Sequence, residues 1–448
     1  MKMHLPLSLL MASAASFSAL ALDVDTNKLE SVLEQPSFFE TKADGFITKD
    51  MESYFKWTNA NKDDAHFPVV PLDKHNVLLF GMKTQEADFK FKDGTLENLY
   101  VSVYNRGDTG DIPMPVFKEL VGKLDSSISE WSGEKGVELK KSQLSADTKI
   151  RAKAWVKGDI AICLKWDFSG KNDSEFRPEY IQFTVERFDP KNDLRRQNSV
   201  GDLRAGMTLA KDLPKNLKRD ASSGAVHIEN IPMIDQGAKG YCVAAATARV
   251  LNYYNVPVTQ HDIAQLSGTE AQSGTFLEAM LSAIKKVTTR YGVRIHSYYQ
   301  DETIAKASDF ERYVKRYNKL AIRSGRLTVQ TVVRGDCYYP DETFEKMDPE
   351  LVKKLRLEDS AAMRSFIRNV KLSIDKGIPV LWSVRLGLVK EKEIPQAVGY
   401  HMRLITGYND KTNSLIYSDS WGPDHDVKKM SYEDAWSITE AQLSIDPL

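Results

Sequence analysis

The stretch IPMIDQGAKGYCVAAATARVLNYYNVP, residues 231–257, constrains this chain more than any other. Two glycines, Gly237 and Gly240, lead into a run of alanines that ends before Pro257. Alanine is the best helix former and proline cannot continue a helix, so a helix is predicted from Cys242 to just before Pro257. The glycines let backbone come close to the helix start. The first N–H groups of a helix have no partners within it and can point at a developing negative charge. A free thiol, with a pKa of about 8.5, drops by several units at such a place or beside an imidazolium. Cys242 is therefore a candidate nucleophile. Gln236 is a candidate amide donor to an oxyanion. On the cysteine alone, a buried structural thiol in an Ala-rich helix is the simpler reading.

A nucleophilic thiol needs a base, and the chain has 8 histidines. His4 lies in the leader, and His66, His75 and His227 read as surface or turn residues. His261 reads as a solvated first-turn residue, His425 sits in the loop PDHD, and His296 lies in a strand. His401 stands apart through its context, HMRLITGYNDKTNSLIYSDSWG. The segments 401–408 and 415–419 alternate as strands, and NDKTN between them is a turn. Centring that turn on Lys411 places residue 421 opposite His401. Asp419 is then a diagonal neighbour on the same face, within reach of the imidazole. It would fix the tautomer of His401 and stabilise its charged form. A slip of one residue would put the two on opposite faces.

Together these pieces resemble the papain-like cysteine peptidase superfamily. DQGAKGYC looks like that family's oxyanion glutamine followed by its nucleophile, and the strand from His401 to DSWG looks like its histidine and Asn-Ser-Trp-Gly stretch. The resemblance implies catalytic roles for Cys242, His401, Asp419 and Gln236, and a shielding role for Trp421. It covers roughly residues 225–445. Three departures are visible: Lys239 and Val243 stand where animal and plant enzymes have a cysteine and an aromatic residue, and Asp419 replaces asparagine. The aspartate is closer to the bacterial branch similar to the peptidases that cut double-glycine leaders from bacteriocins.

The expected architecture is α+β: a papain-like domain, with a helical half and an antiparallel β half, over residues 225–448, preceded by a smaller α+β domain over 22–200 and a linker over 201–224. In the first of these, LENLYVSVYN, KIRAKAWV, DIAICLKWDF and PEYIQFTVERF read as strands and PVFKELVGKLDSSISEW as a helix with Pro115 in its first turn. Lys157-Gly158-Asp159 reads as a hairpin turn. Residues 22–68 read as polar, with one short helix near LESVLEQ. A charged helical insertion is expected over about 301–370, and GIPVLWSVRL reads as a buried strand. The first domain carries no catalytic signature and could be an inhibitory pro-segment, a substrate-recruiting module or a fixed structural partner. In the first case KNLKRDASSG would be a natural cleavage point.

Residues 1–21 read as a cleaved secretory signal: Lys2, an apolar run to about Leu20, then Ala19-Leu20-Ala21. This predicts a secreted or periplasmic protein with no membrane span in the mature chain. With 3 cysteines, at least one thiol stays unpaired; a Cys163–Cys337 bridge is compatible with the compartment but has no other support. A net charge of −1 over 448 residues offers no field for nucleic acid. No metal or phosphate motif stands out, so no cofactor is expected. The two RGD tripeptides, at 106–108 and 334–336, read as turns. The function expected is hydrolysis of protein or peptide substrates. An amidase or transamidase with the same triad, or a binding protein on an inactive peptidase fold, are the alternatives.

Overall fold

The computed structural model describes residues 28–448 apart from 36, 68–76, 140–149, 171–173, 192, 196–206, 238–239, 257, 268–284, 286–291, 336, 393 and 397. The expected signal segment and His75 lie outside the described residues. Two antiparallel sheets organise the rest. The first has 8 strands in the order Lys56–Trp57, Asp64–Phe67, Glu86–Lys92, Thr95–Asn105, Arg177–Arg187, Ile160–Ser169, Arg151–Lys157, Val137–Glu138. Its strands alternate between bulges near Phe91, Tyr180 and Gln182. Ala65, Phe67, Ala87, Phe89, Leu99, Val101, Ile162, Leu164, Phe183 and Val185 form one apolar face. The helix Met114–Ser132 lays Phe117, Leu124 and Ile128 on that core and ends at Gly133, whose φ of 78° closes the helix in the left-handed region.

The segment expected to be polar and unstructured supplies much of this core. Phe38, Phe39, Phe46, Met51, Tyr54 and Phe55 are all buried in it. The first sheet accordingly begins at Lys56 rather than near residue 70. The apolar residues that anchor this segment are spaced irregularly, so neither a period of 2 nor one of 3.6 exposes them.

The opposite face of the first sheet is polar and is also buried. In the strand register His66 faces Asp88, Asp88 faces Tyr100, Glu86 faces Ser102 and Ser102 faces Gln182. Antiparallel sheets usually turn such a face to water. Here every one of these six residues is buried, so His66 is an interior residue and not a surface one.

The second sheet, also of 8 strands, runs Leu217–Arg219, Ala225–Ile228, Gly399–Asn409, Val380–Leu386, Thr439–Pro447, Val293–Gln300, with Ser414–Ser418 pairing Gly399–Asn409 and Lys428–Ser431 beyond it. The expected linker, 201–224, thus contributes one strand of this sheet, Leu217–Arg219, joined to Ala225–Ile228 by a turn in which Asp220 accepts from Ser222 and Ser223. Helix Cys242–Tyr253 packs on the sheet together with Ser360–Ile374 and Tyr432–Ile438 around Trp382, Leu404 and Leu443. The insertion contains helices Ala307–Arg323 and Pro349–Leu357, which share a separate core of Phe310, Tyr313, Tyr317, Leu351 and Leu355. Cys163, Cys242 and Cys337 are all free thiols, so the 163–337 bridge does not form.

The strand Gly399–Asn409 carries His401 and is the pivot of the second sheet. Its Gly407 lies so close to the neighbouring strand that a Cβ there would run into the Val226 carbonyl and His227. Gly407→Ala should therefore destabilise the protein by about 1–3 kcal/mol, the usual cost of overpacking. Urea unfolding checks this.

Candidate active site

The hairpin expected around Lys411 forms, and its register explains why His401 and Asp419 meet. Next to the turn Asn409 pairs with Ser414, one residue off the simplest alignment. A bulge at Thr406 takes up the difference, and Leu404 then pairs with Ser418. Continuing that register brings Asp419 level with Arg403, on the same face as His401. His401 Nε2 and Asp419 Oδ1 are 3.0 Å apart. Both side chains are fully shielded from solvent.

A charged carboxylate without solvent access needs partners. Arg403 Nε donates to Asp419 Oδ1 at 2.7 Å, and its two remaining nitrogens hold Glu391 in a fork at 3.0 Å each. Tyr417 OH also donates to Glu391, at 2.7 Å. Lys428 Nζ stands 3.5 Å from Asp419 Oδ2. Burial pushes the Asp419 carboxyl up, but the hydrogen bond from His401 and the charge of Arg403 outweigh it and hold it down at about 2.

The other face of His401 meets Trp421, ring on ring, with centroids 3.9 Å apart and planes 11° from parallel. Nδ1 points away from Asp419 and has no nitrogen or oxygen partner. Cys242, partly buried at the first turn of its helix, is the group it couples to. Burial alone would raise the Cys242 thiol. The hydrogen bond and charge of His401, and then the N–H groups of Met402 and Val243, bring it below its ordinary value. Burial likewise works against the imidazolium, and Asp419 and Cys242 raise it above its ordinary value. The pair therefore favours thiolate and imidazolium together.

Gln236 joins this group from the segment before the helix. Its N–H donates to Ser420 O, and Ser420 Oγ donates to its Oε1, both at 2.8 Å. The acceptor end of the amide is thereby occupied, which orients its NH2 end as the donor. The structure brings Cys242, His401, Asp419, Gln236 and Trp421 into one neighbourhood. His296 stays at the far edge of the sheet, and His425 packs edge-on against Trp421 with centroids 5.6 Å apart.

The sequence reading missed Arg403, Glu391, Ser420 and Arg249. Arg249 lies in the same helix as Cys242. It donates to Asp419 O at 3.0 Å, Ser418 Oγ at 2.6 Å and Pro232 O at 2.8 Å. A signal existed: Arg403 and Arg249 are lone charges inside apolar runs, and such charges are buried only with partners. His261 is the clearest correction. It is buried against the first sheet, where its Nε2 faces Glu86 Oε2 at 3.1 Å, rather than solvated.

Among the described residues, one group places ligand-type atoms within 4.8 Å of one another: His66, Glu86 and Asp88. His66 Nδ1 already bonds Asp88 Oδ1 at 2.5 Å, and Glu86 accepts from Gln260 and His261. Burial opposes the charge of His66, yet Asp88, Asp235 and Glu86 hold it up at about 10. The cluster is a network of internal ion pairs.

Residues 334–444 match the model of the Peptidase_C39 like family. The match includes His401 and Asp419 and ends short of Gln236 and Cys242 on the N-terminal side. No curated protein sequence matches the chain. Among solved structures, the chain is similar to the peptidase domain of Streptococcus ComA, a bifunctional ABC transporter of a quorum-sensing pathway, at 16% identity and a TM-score of 0.25, covering 49% of this chain and 100% of that one. It is similar also to xylellain, a cysteine protease from Xylella fastidiosa, at 15% identity and a TM-score of 0.23, covering 56% of this chain and 94% of that one. Scores this low leave the family match as the main link.

Arg403 gives the site a direct test. Arg403→Met would leave Glu391 and Asp419 buried without their cation, at a cost of about 3–5 kcal/mol, measurable by denaturant unfolding. The pH dependence follows from Asp419. Its carboxyl is held at about 2 when folded, against about 3.9 in an unfolded chain. Its contribution to stability is thus complete above about pH 4 and is lost as pH falls through 2. Unfolding curves between pH 7 and 2 should show that loss in the wild type and lack it in Asp419→Asn. Residues 334–444, which include His401 and Asp419, are thus similar to the Peptidase_C39 like family.

Proposed function

We propose that this chain is an exported cysteine peptidase that hydrolyses peptide bonds through Cys242, His401 and Asp419. The observation that carries the reading is the geometry at His401. One ring nitrogen is held 3.0 Å from a buried carboxylate, and the ring draws the thiol of Cys242, at a helix start, below its ordinary pKa. An imidazole so placed takes the thiol's proton and keeps it ready for a leaving group.

In the proposed cycle Cys242 Sγ attacks the amide carbonyl carbon. The carbonyl oxygen gains the negative charge and is met by the Cys242 N–H and the Gln236 side-chain amide. The C–N bond then breaks, His401 gives its proton to the departing amine, and a thioester remains. His401 next takes a proton from water, which attacks the thioester and releases the acid and the thiolate. Asp419 orients the ring and stabilises its charge throughout. Stacked Trp421 keeps water from the His401–Asp419 bond. The smaller preceding α+β unit is part of the same reading. So is secretion through residues 1–21, and the N-terminal sequence of the protein isolated from its source tests that point. No described helix is long and apolar enough to cross a membrane.

Intact-mass analysis after treatment with a thiol-directed epoxide at pH 6 tests the site. One adduct on Cys242 is expected, absent in Cys242→Ala and in His401→Ala, with Cys163 and Cys337 unlabelled. Labelling of Cys242 no faster than of exposed Cys337 would overturn the ion pair. Gln236→Ala should lower kcat by about 100- to 1,000-fold, the usual loss for one oxyanion donor, at nearly constant KM. Product analysis of a cleaved peptide should show new free termini. Released ammonia would make the enzyme an amidase instead.

A further inference from the structure

Gln236 follows Asp235 and Cys242 follows Tyr241, so these two neighbours mark the ends of the stretch that carries both proposed oxyanion donors. Gly237 takes a φ of 65°, a conformation other residues rarely adopt. Its N–H turns back onto Asp235 Oδ1 at 2.8 Å. Gln236 and Cys242 must keep their spacing, because a displacement of about 1 Å costs on the order of 100-fold in rate.

Both ends are tied to the first sheet. At the start, Gln260 Nε2 donates to Asp235 O at 2.9 Å and also reaches Glu86 Oε1 at 3.3 Å. At the end, Tyr241 OH donates to Asn105 Oδ1 at 3.1 Å. Asn105 closes the strand Thr95–Asn105, and its Oδ1 also accepts from Gly107 N–H at 2.9 Å. Gly107 lies against the Tyr241 ring so closely that a Cβ there would collide with it. Here the sheet end meets the residue before Cys242 with only a hydrogen between them.

His261 joins the two ties. With Asn105 Oδ1 occupied by Tyr241 and Gly107, it is Asn105 Nδ2 that meets His261 Nδ1. That nitrogen must accept, so the ring's proton sits on Nε2 and points to Glu86 Oε2 at 3.1 Å. The His261 ring lies parallel to Tyr100, with centroids 6.1 Å apart, and tilted against Tyr241 at 5.9 Å. Asn105, Glu86, Gln260, His261 and Tyr241 are all buried.

We infer that Asn105 and Glu86 are positioning residues: through Tyr241, Gln260 and His261, the first sheet holds the Gln236–Cys242 segment in the shape that binds the oxyanion. This rests on the proposed peptidase reading for its catalytic meaning. It makes the N-terminal unit a fixed part of the enzyme and not an inhibitor to be removed. Its displacement lowers activity.

The test uses the full mature chain carrying Asn105→Ala, Glu86→Ala, Glu86→Gln or the milder Tyr241→Phe. Amide hydrogen exchange over residues 235–245 is read first, with the melting temperature beside it. Asn105→Ala and Glu86→Ala should speed exchange in that segment at least ten-fold while the strands of both sheets stay protected. On a peptide substrate kcat should fall about 10- to 100-fold with KM within about two-fold. Glu86→Gln keeps an acceptor for only one of the two donors, Gln260 and His261, and should fall between the wild type and Glu86→Ala; Tyr241→Phe should lose about three- to ten-fold. Unchanged exchange over 235–245 would overturn the inference. So would a loss of kcat that merely tracks the folded fraction. If the wild type neither labels at Cys242 nor cleaves peptides, the peptidase reading fails, while the exchange data still decide whether the first sheet holds this segment.

Discussion

A carboxylate with no exposed surface, Asp419, is the constraint on which the second sheet and its site depend. Taking an ion out of water costs several kcal/mol even after relaxation. The chain offsets that cost with hydrogen bonds from His401 and Arg403 and with the charge of Lys428. Arg403 is itself buried and is neutralised on its far side by Glu391. The chain of charges runs Glu391, Arg403, Asp419, His401, with the thiol of Cys242 at its end. Each member is placed by the one before it. The imidazole is therefore held by the ion pairs around it, and its orientation does not rest on one hydrogen bond.

A second polar interior sits beneath the first sheet. Its apolar face closes a conventional core with the helix Met114–Ser132. Its polar face brings Asp64, His66, Glu86 and Asp88 into a buried array. Buried charge arrays contribute little net stability, since desolvation offsets attraction, but removing one member is costly. They define position more than they add stability. Glu86 shows this directly, because the same carboxylate accepts from Gln260 and His261 of the opposite sheet's elements.

Much of the fold was legible in the sequence. The helix from Cys242, the hairpin around Gly158, the strand from Val380 and the hairpin after His401 all follow from period and turn chemistry. The His401–Asp419 proximity followed from the centre of one turn, although the bulge at Thr406 was not visible and happened to preserve the register. What escaped was burial that no period reports. EADFKFK alternates as a strand should, yet Glu86 and Asp88 at its polar positions are buried while Lys92 is exposed. His66 and His261 were placed at the surface for the same reason. Arg403 escaped because a sequence shows a charge in a strand but not the carboxylates beyond the neighbouring strand and in the preceding loop that require it.

Cys242 and His401 come from elements far apart in the chain, so something must set the distance between them. Arg249 does this within the second sheet's own framework. It follows Cys242 by 7 residues, about two helical turns, and so lies on the same side of the helix. Its guanidinium holds the Asp419 carbonyl, the Ser418 hydroxyl and the Pro232 carbonyl. Burial lowers its pKa to about 10, with Asp419 and Asp426 opposing the shift, so it remains charged at neutral pH. One planar cation thus joins three stretches of chain: the helix of Cys242, the strand end that carries the carboxylate, and the approach to Gln236. A lysine could supply the charge but not three directed bonds from one rigid plane. The site is held from behind by Arg249 and from the first sheet by Asn105 and Glu86.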